Sequence, residues 1–397
     1  MGCLKGLVTV GVLVNLLSGC SGGGGTDDGT QGRVPVLPNH VMGYACIDQV
    51  GRGQGDLLSG STPTPAGWPN QASSPVYVWN NTGYSEKHAA SDNSHILTDR
   101  DYRVGMVKPG YTAYTYPHPL VVSTPGPTRT INATSCELTV VIAAVSSASA
   151  GDTVVVPSGT CTWSNPLSIT KAITLQGQGI GNTVLIDNVA TGHMIFIETN
   201  TGTDWRLTGI EIRYGGVSKG SRGQLEIAGG SHAFRVDHNR FFGYPNQSHA
   251  IRFSGDLWGV IDHNEFDDNN NFAQALRGQH DLWGVVGAYG DNSWATPDNF
   301  GTNQFVFIED NTFEGAGDTA SGAQAGALDM FSGARIVFRH NTVNNDYVTS
   351  HGTETSQRER SCSLISETML PIHRGGCVTE RVSTMKINNL EPRPIPG

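Results

Sequence analysis

The sequence predicts an all-β chain wound as a parallel β-helix, and three observations carry that prediction. Glycine is abundant, with 51 residues, while Asp, Glu, Lys and Arg together make up only 15%. That mixture suits many short strands joined by tight turns and does not suit helices. The length points the same way. About 365 residues remain once the N-terminal 33 are set aside, too many for one small core and comfortable for an elongated solenoid. The decisive observation is internal repetition. FRVDHNRF at 234–241, GVIDHNEF at 259–266, VFIEDNTF at 306–313 and IVFRHNTV at 336–343 align without gaps, and each places an asparagine in the same slot: Asn239, Asn264, Asn311 and Asn341.

The intervals between these asparagines are 25, 47 and 30 residues. One turn of a parallel β-helix takes roughly 20–30 residues. Two intervals are therefore single turns, and the third is either one turn with a long insertion or two turns. Stacked parallel strands lie about 4.8 Å apart, so equal slots form columns along the solenoid. Alternation sends Val236, Ile261, Ile308 and Phe338 inward. The asparagines fall where the chain turns a corner, and their amides can bond those above and below. AITLQG at 172–177 and LTGIEI at 207–212 read as earlier, less regular turns.

Residues 137–187 resemble the opening of the pectate-lyase-like superfamily of right-handed β-helices, through ELTVVIAAV at 137–145, AGDTVVVPSG at 150–159 and ITLQGQGI at 173–180. The resemblance implies a right-handed single-stranded parallel β-helix over residues 131–360. It also implies a short helix, spaced on Leu138, Ile142 and Val145, that caps the N-terminal end. A cap covers strand edges and bare core that would otherwise be open. The resemblance is specific for fold and weak for chemistry, because this fold hosts lyases, hydrolases, epimerases and binders.

The first 20 residues are set apart as a targeting segment. Lys5 is followed by an apolar run from Gly6 to Leu17, shorter than the roughly 20 residues that span a bilayer. The run ends in LSGC at 17–20, which resembles the lipobox of bacterial lipoproteins. In that family the signal is cut before the cysteine, so Cys20 would carry the lipid. Residues 21–33 are a Gly-rich tether. The expectation is an exported protein anchored on the cell surface or outer membrane, not spanning it.

Export permits disulfides. Without Cys3 and Cys20, the cysteines are Cys46, Cys136, Cys161, Cys362 and Cys377, an odd set. The favoured bridge is Cys136 with Cys161, which closes the first turn. A net charge of −10, with Lys171 and Lys219 the sole lysines of the repeats, argues against nucleic acid. The chain is expected to act as a monomer.

Residues 34–130 are irregular and rich in Pro, Gly and Tyr. They look like a segment that related β-helices carry after the solenoid, here placed before it. They are read either as a permuted or remnant piece docking on the solenoid's far end, or as the product of a rearranged reading frame. The repeat fades after Arg360, so 361–397 is an atypical tail, with a truncated or frame-shifted end one reading of it.

Chemistry is sought in the columns. In the strand before each asparagine strand, Glu226, Arg252 and Asp329 alternate outward, and His351 is expected to continue them. In lyases of the resembled superfamily the substrate groove follows one such sheet, acidic residues hold calcium, and Arg or Lys takes a proton. Glu226, Arg252, Asp329 and His351 are thus catalytic candidates, against the plain alternative of ordinary outward polar positions. A second column runs Asp237, Asp262, Glu309, Arg339. Asp237 and Asp262, about 5 Å apart in adjacent turns, offer a calcium site, a retaining-glycosidase pair, or a solvated acidic stripe offset by Arg235 and Arg240. The solvated stripe is the favoured reading. His238, His263 and His340 stack at the corner and are read as bonding the turn. Trp283, Tyr289 and Trp294, in an insertion placed at 268–303, and Arg358 are candidates for contacting sugar. Two function classes stay open. One is a surface lipoprotein that cleaves extracellular polysaccharide by lyase or hydrolase chemistry, with Ca2+ as its cofactor. The other is a non-catalytic glycan binder or adhesin.

Overall fold

In the computed structural model the described residues are 102–122, 126–199, 204–218, 223–244, 248–269, 274–279, 301–315, 326–330, 335–344 and 346–350, with short pieces at 52–54, 58–59, 62–63, 72–73, 76–80, 84–87, 99, 363–365, 372–373 and 384–387. Each turn of the chain lays one strand on each of three sheets, and the protein is a right-handed parallel β-helix. Sheet I holds the strands that lead to the asparagine corner, among them Asp204–Thr208, Ala233–Asp237, Gly259–Asp262, Val306–Glu309 and Arg335–Arg339. Sheet II follows the corner with seven short strands, from Gly159–Trp163 to Thr342–Asn344. Sheet III closes each turn, with Leu225–Gly229, His249–Gly255, Gln274–Gln279, Gly326–Met330 and Asp346–Ser350 among its strands.

Registers are those of a column structure. Leu207, Val236, Ile261, Ile308 and Phe338 stand opposite one another in successive turns and are all buried. Phe241, Phe266 and Phe313 stack inside sheet II at 5.2 and 4.8 Å. At the corner, Asn239 Nδ2 donates to Asn264 Oδ1 at 3.1 Å, Asn264 to Asn311 at 3.0 Å and Asn311 to Asn341 at 3.0 Å. Each Oδ1 also takes the backbone N–H of the asparagine one turn earlier. The residue before each asparagine has positive φ: Gly209 before Ile210 at the head of the ladder, then His238, His263, Asp310 and His340. Only a left-handed residue can turn the strand there, and the short ladder amide then satisfies the backbone groups the turn exposes.

The 47-residue interval is a single turn, because Gly259–Asp262 pairs directly with Val306–Glu309. The stretch expected to be an insertion contains the sheet III strand Gln274–Gln279. The helix forms at Leu138–Ser147, but its buried side is Val141, Ala144 and Val145, while Ile142 is 39% exposed. The buried face is centred on 141, 144 and 145, and 142 lies about 100° round the helix from that centre. Lys171 Nζ closes the helix by donating to the carbonyls of Val145, Ser146 and Ala148. Cys136 and Cys161 form a disulfide that ties the approach to the helix onto the first sheet II strand.

Residues 111–122 lie as a strap along the outer face of sheet I. Arg339 donates to the carbonyls of Tyr114 and Thr115 at 2.8 Å each, and Arg235 to those of Leu120 and Val121 at 3.3 and 3.2 Å. The His118 N–H donates to Glu309 Oε1 at 2.7 Å. Tyr111, Tyr114, Leu120 and Val121 pack on Val260, Phe305, Phe307 and Val337, an apolar cluster outside the main core. The strap runs against the direction of winding, from Arg339 back past Arg235, before the chain joins sheet I at Thr130–Asn132. Farther upstream, Tyr84–Lys87 pairs with Thr384–Ile387, which pairs with Asp346–Ser350 at the far end of sheet III. The tail also adds Ser363–Ile365 to sheet I in parallel.

Candidate functional site

The two polar columns meet different fates. The column on sheet I is buried beneath the strap, with Asp237, Asp262, Glu309 and Arg339 all at 0% exposure, so it is not a solvated stripe. Arg206 grips Asp237 through Nε–Oδ1 at 2.6 Å and Nη2–Oδ2 at 2.5 Å. Arg235 grips Asp262 at 2.9 and 2.8 Å, and Arg339 Nε bonds Glu309 at 2.6 Å. Burial pushes the Asp237 carboxyl up, but the Arg206 hydrogen bonds and the Arg235 charge outweigh it, and its pKa lies below the usual range. At Glu309 burial outweighs the Arg339 guanidinium and the His118 N–H, and its pKa is raised. The oxygens of Asp237 and Asp262 are committed to guanidinium groups, so these residues do not fit a calcium ion, which needs 6–8 oxygens. A glycosidase pair there would also have no path for a sugar under the strap.

The column on sheet III is the candidate site. Its register reads Glu226 opposite Arg252, Arg252 opposite Arg277, Arg277 opposite Asp329, and Asp329 opposite Thr349. Two guanidiniums in adjacent turns are thus bracketed by two carboxylates. Both arginines are half-buried, and Glu226 and Asp329 are buried. His193, two residues before the sheet III strand Ile195–Thr199 of the preceding turn, meets Glu226 through Nε2, while its Nδ1 accepts from the Gly223 N–H. Gln274 Nε2 donates to Asp329 Oδ2 at 2.7 Å. His249 is 98% buried beside these groups, and its pKa is pushed down to about 3 by burial and then by the charges of Arg277 and Arg252.

Glu226, Arg252 and Asp329 are therefore brought onto one face. The structure places Thr349 in the next slot of the column, and His351 lies outside the described residues, as do Trp283, Tyr289, Trp294, Arg358 and Cys20. Arg277 was missed because 268–303 was read as one insertion. Its signal was present in the sequence as Ala-Leu-Arg at 275–277, echoing Ala-Ile-Arg at 250–252 and Ala-Leu-Asp at 327–329. Among the described residues no three His, Cys, Asp or Glu side chains converge as metal ligands do. Glu226 and Asp329 are three turns apart, roughly 14 Å, beyond the 5–9.5 Å span of glycosidase carboxylate pairs.

Compared by sequence, the chain matches no protein-family model and no curated protein. Compared by structure, it is similar to an alginate lyase from a Paenibacillus species, with 16% identity, a TM-score of 0.31, and 55% of this chain and 67% of that one covered. It is also similar to a pectin methylesterase in complex with a hexasaccharide, with 11% identity, a TM-score of 0.31, and 57% and 85% covered.

Proposed function

We propose that this β-helix acts on an acidic extracellular polysaccharide along sheet III, by lyase chemistry. The observation that carries the reading is the pair Arg252 and Arg277 in adjacent turns, with Glu226 one turn away. Guanidiniums take carboxylates in a planar fork, so the pair would hold a uronate and neutralise it without a metal. Neutralising that carboxyl acidifies the neighbouring C–H. Glu226, oriented by His193, would accept the C5 proton as the C4–O bond breaks and a C4=C5 double bond forms, with the departing oxygen taking a proton from water. The wide separation of Glu226 and Asp329 disfavours a hydrolase at this face. The protein would work from the cell surface, held by a lipid on Cys20.

Glycan binding without cleavage is the second reading, favoured by the burial of Glu226 and Asp329. The test is ultraviolet absorbance of unsaturated product on a panel of uronic polysaccharides, with calcium and with chelator. The proposal expects absorbance in both conditions, lost in Glu226→Gln with polysaccharide retention intact. Arg277→Gln should lower kcat/KM on the order of 100–1,000-fold. Retention with no absorbance from the unmodified chain would leave the binder, and activity only with calcium would reject the arginine role.

A further inference from the structure

The asparagine corner carries two imidazoles that the candidate site on sheet III does not use. His238 and His263 occupy equivalent positions in successive turns, with φ of 53° and 52°. Their side chains are 58% and 43% exposed, their rings are parallel within 4°, and the ring centroids lie 5.1 Å apart. Each ring is fixed from behind by a buried carboxylate: His238 Nδ1 meets Asp237 Oδ2 at 2.7 Å, and His263 Nδ1 meets Asp262 Oδ2 at 2.9 Å. Arginine N–H groups donate to both oxygens of each carboxylate. A carboxylate held in this way accepts, so Nδ1 is the donor of each pair and Nε2 is the ring nitrogen that faces away from the carboxylate.

A carboxylate bonded to one imidazole nitrogen, with the other nitrogen turned outward, is how proteins orient histidine metal ligands. We propose that His238 and His263 together bind one divalent ion of the zinc, nickel or copper class through their Nε2 atoms, with water completing the coordination. Imidazole suits these ions, and a bond length of about 2.0–2.1 Å requires the two nitrogens to come within roughly 3.3–4.2 Å. Rings stacked at 5.1 Å stand looser than contact distance. Parallel lone pairs do not converge, so each ring must pivot on its Nδ1 contact toward the other as its outer edge moves inward by on the order of 0.5–1 Å. With only two protein ligands the ion exchanges readily, unlike one in a closed structural site. His340 shares the corner but takes no part. Its ring stacks on Tyr116 at 3.8 Å, and Asp310, which accepts the Tyr116 hydroxyl at 2.7 Å, stands between it and His263.

The test uses the full chain, Zn2+ in calorimetry and Cu2+ in electron paramagnetic resonance. The expected result is at least tenfold weaker Zn2+ binding in His238→Asn and in His263→Asn, with the two-nitrogen Cu2+ signature reduced to one. His340→Asn should bind as the unmodified chain does. Asparagine tolerates the left-handed backbone. If an asparagine variant does not melt cooperatively, His238→Gly and His263→Gly replace it, since Gly209 already holds this corner at φ 71°. Zn2+ affinity unchanged in the double variant, or lost equally in His340→Asn, overturns the site.

Discussion

At the scale of single residues the corner asparagines do more than their size suggests. Asn264 accepts from the N–H and the side chain of Asn239, and its own Nδ2 donates to the carbonyls of Val236 and Asp262. Replacing it with alanine strands several buried groups at once. Asn264→Ala should cost about 2–4 kcal/mol, read as a lower urea midpoint with an unchanged slope. Buried histidines set the acid response. Burial and the charges of Arg339 and Arg235 push His118 down to about 4, and His249 lies at about 3. Both would ionise near 6.5 in the unfolded chain. Between those values the unfolded state binds more protons, so their contribution is complete above about pH 6.5 and is lost as pH falls toward 4 and 3. Glu309 has the opposite sign. Its raised pKa adds stability at low pH that is lost as pH rises through the folded value. Thermal melts from pH 7 to 4 should show stability falling with acid by about 1.4 kcal/mol per pH unit for each histidine, with a shallower slope in His118→Gln.

At the scale of elements the strap is the informative case. Two arginines hold it by its carbonyls, so its attachment depends on main chain as much as on side chains. Arg339 also stacks over Phe307 and Tyr116, at 4.9 and 5.2 Å. Arg339→Met removes the guanidinium bonded to the buried Glu309 and should destabilise by about 3–5 kcal/mol. The double variant with Glu309→Gln should recover a large part of that loss, because the uncompensated charge is gone. Denaturant titration of the two variants checks both statements. If the pair were merely a surface contact, the single change would move the midpoint little.

At the scale of the whole molecule, strands from before and after the solenoid are joined at its far end. The upstream strand Tyr84–Lys87 is joined through Thr384–Ile387 to the last sheet III turn, and the strap then carries the chain along sheet I to the first turn. The proposed lipid on Cys20 would hold the solenoid at a membrane. Cys20→Ser should move the protein from the membrane fraction to the soluble fraction and abolish incorporation of labelled fatty acid. Retention in the membrane fraction without label would remove the lipid anchor from the account.

The repeat was legible because a column fold writes the same residue into every turn. Asn239, Asn264, Asn311 and Asn341 announce the winding, and Val236, Ile261, Ile308 and Phe338 announce the core, since each answers to a local strand and corner geometry. The sheet III column was legible in part, as Glu226, Arg252 and Asp329, because alternation alone turns them outward. Arg277 was hidden by a turn whose excursion breaks the spacing. What alternation cannot say is whether an outward residue reaches water. Asp237 and Asp262 point out of the solenoid yet are sealed by residues 111–122 and gripped by arginines from neighbouring turns. By itself, then, the sequence determined the winding, its register and the inward set, all of which repeat locally. Only the tertiary structure decided which outward face lies under the strap and which carries the candidate site, because that depends on contacts between residues more than a hundred positions apart.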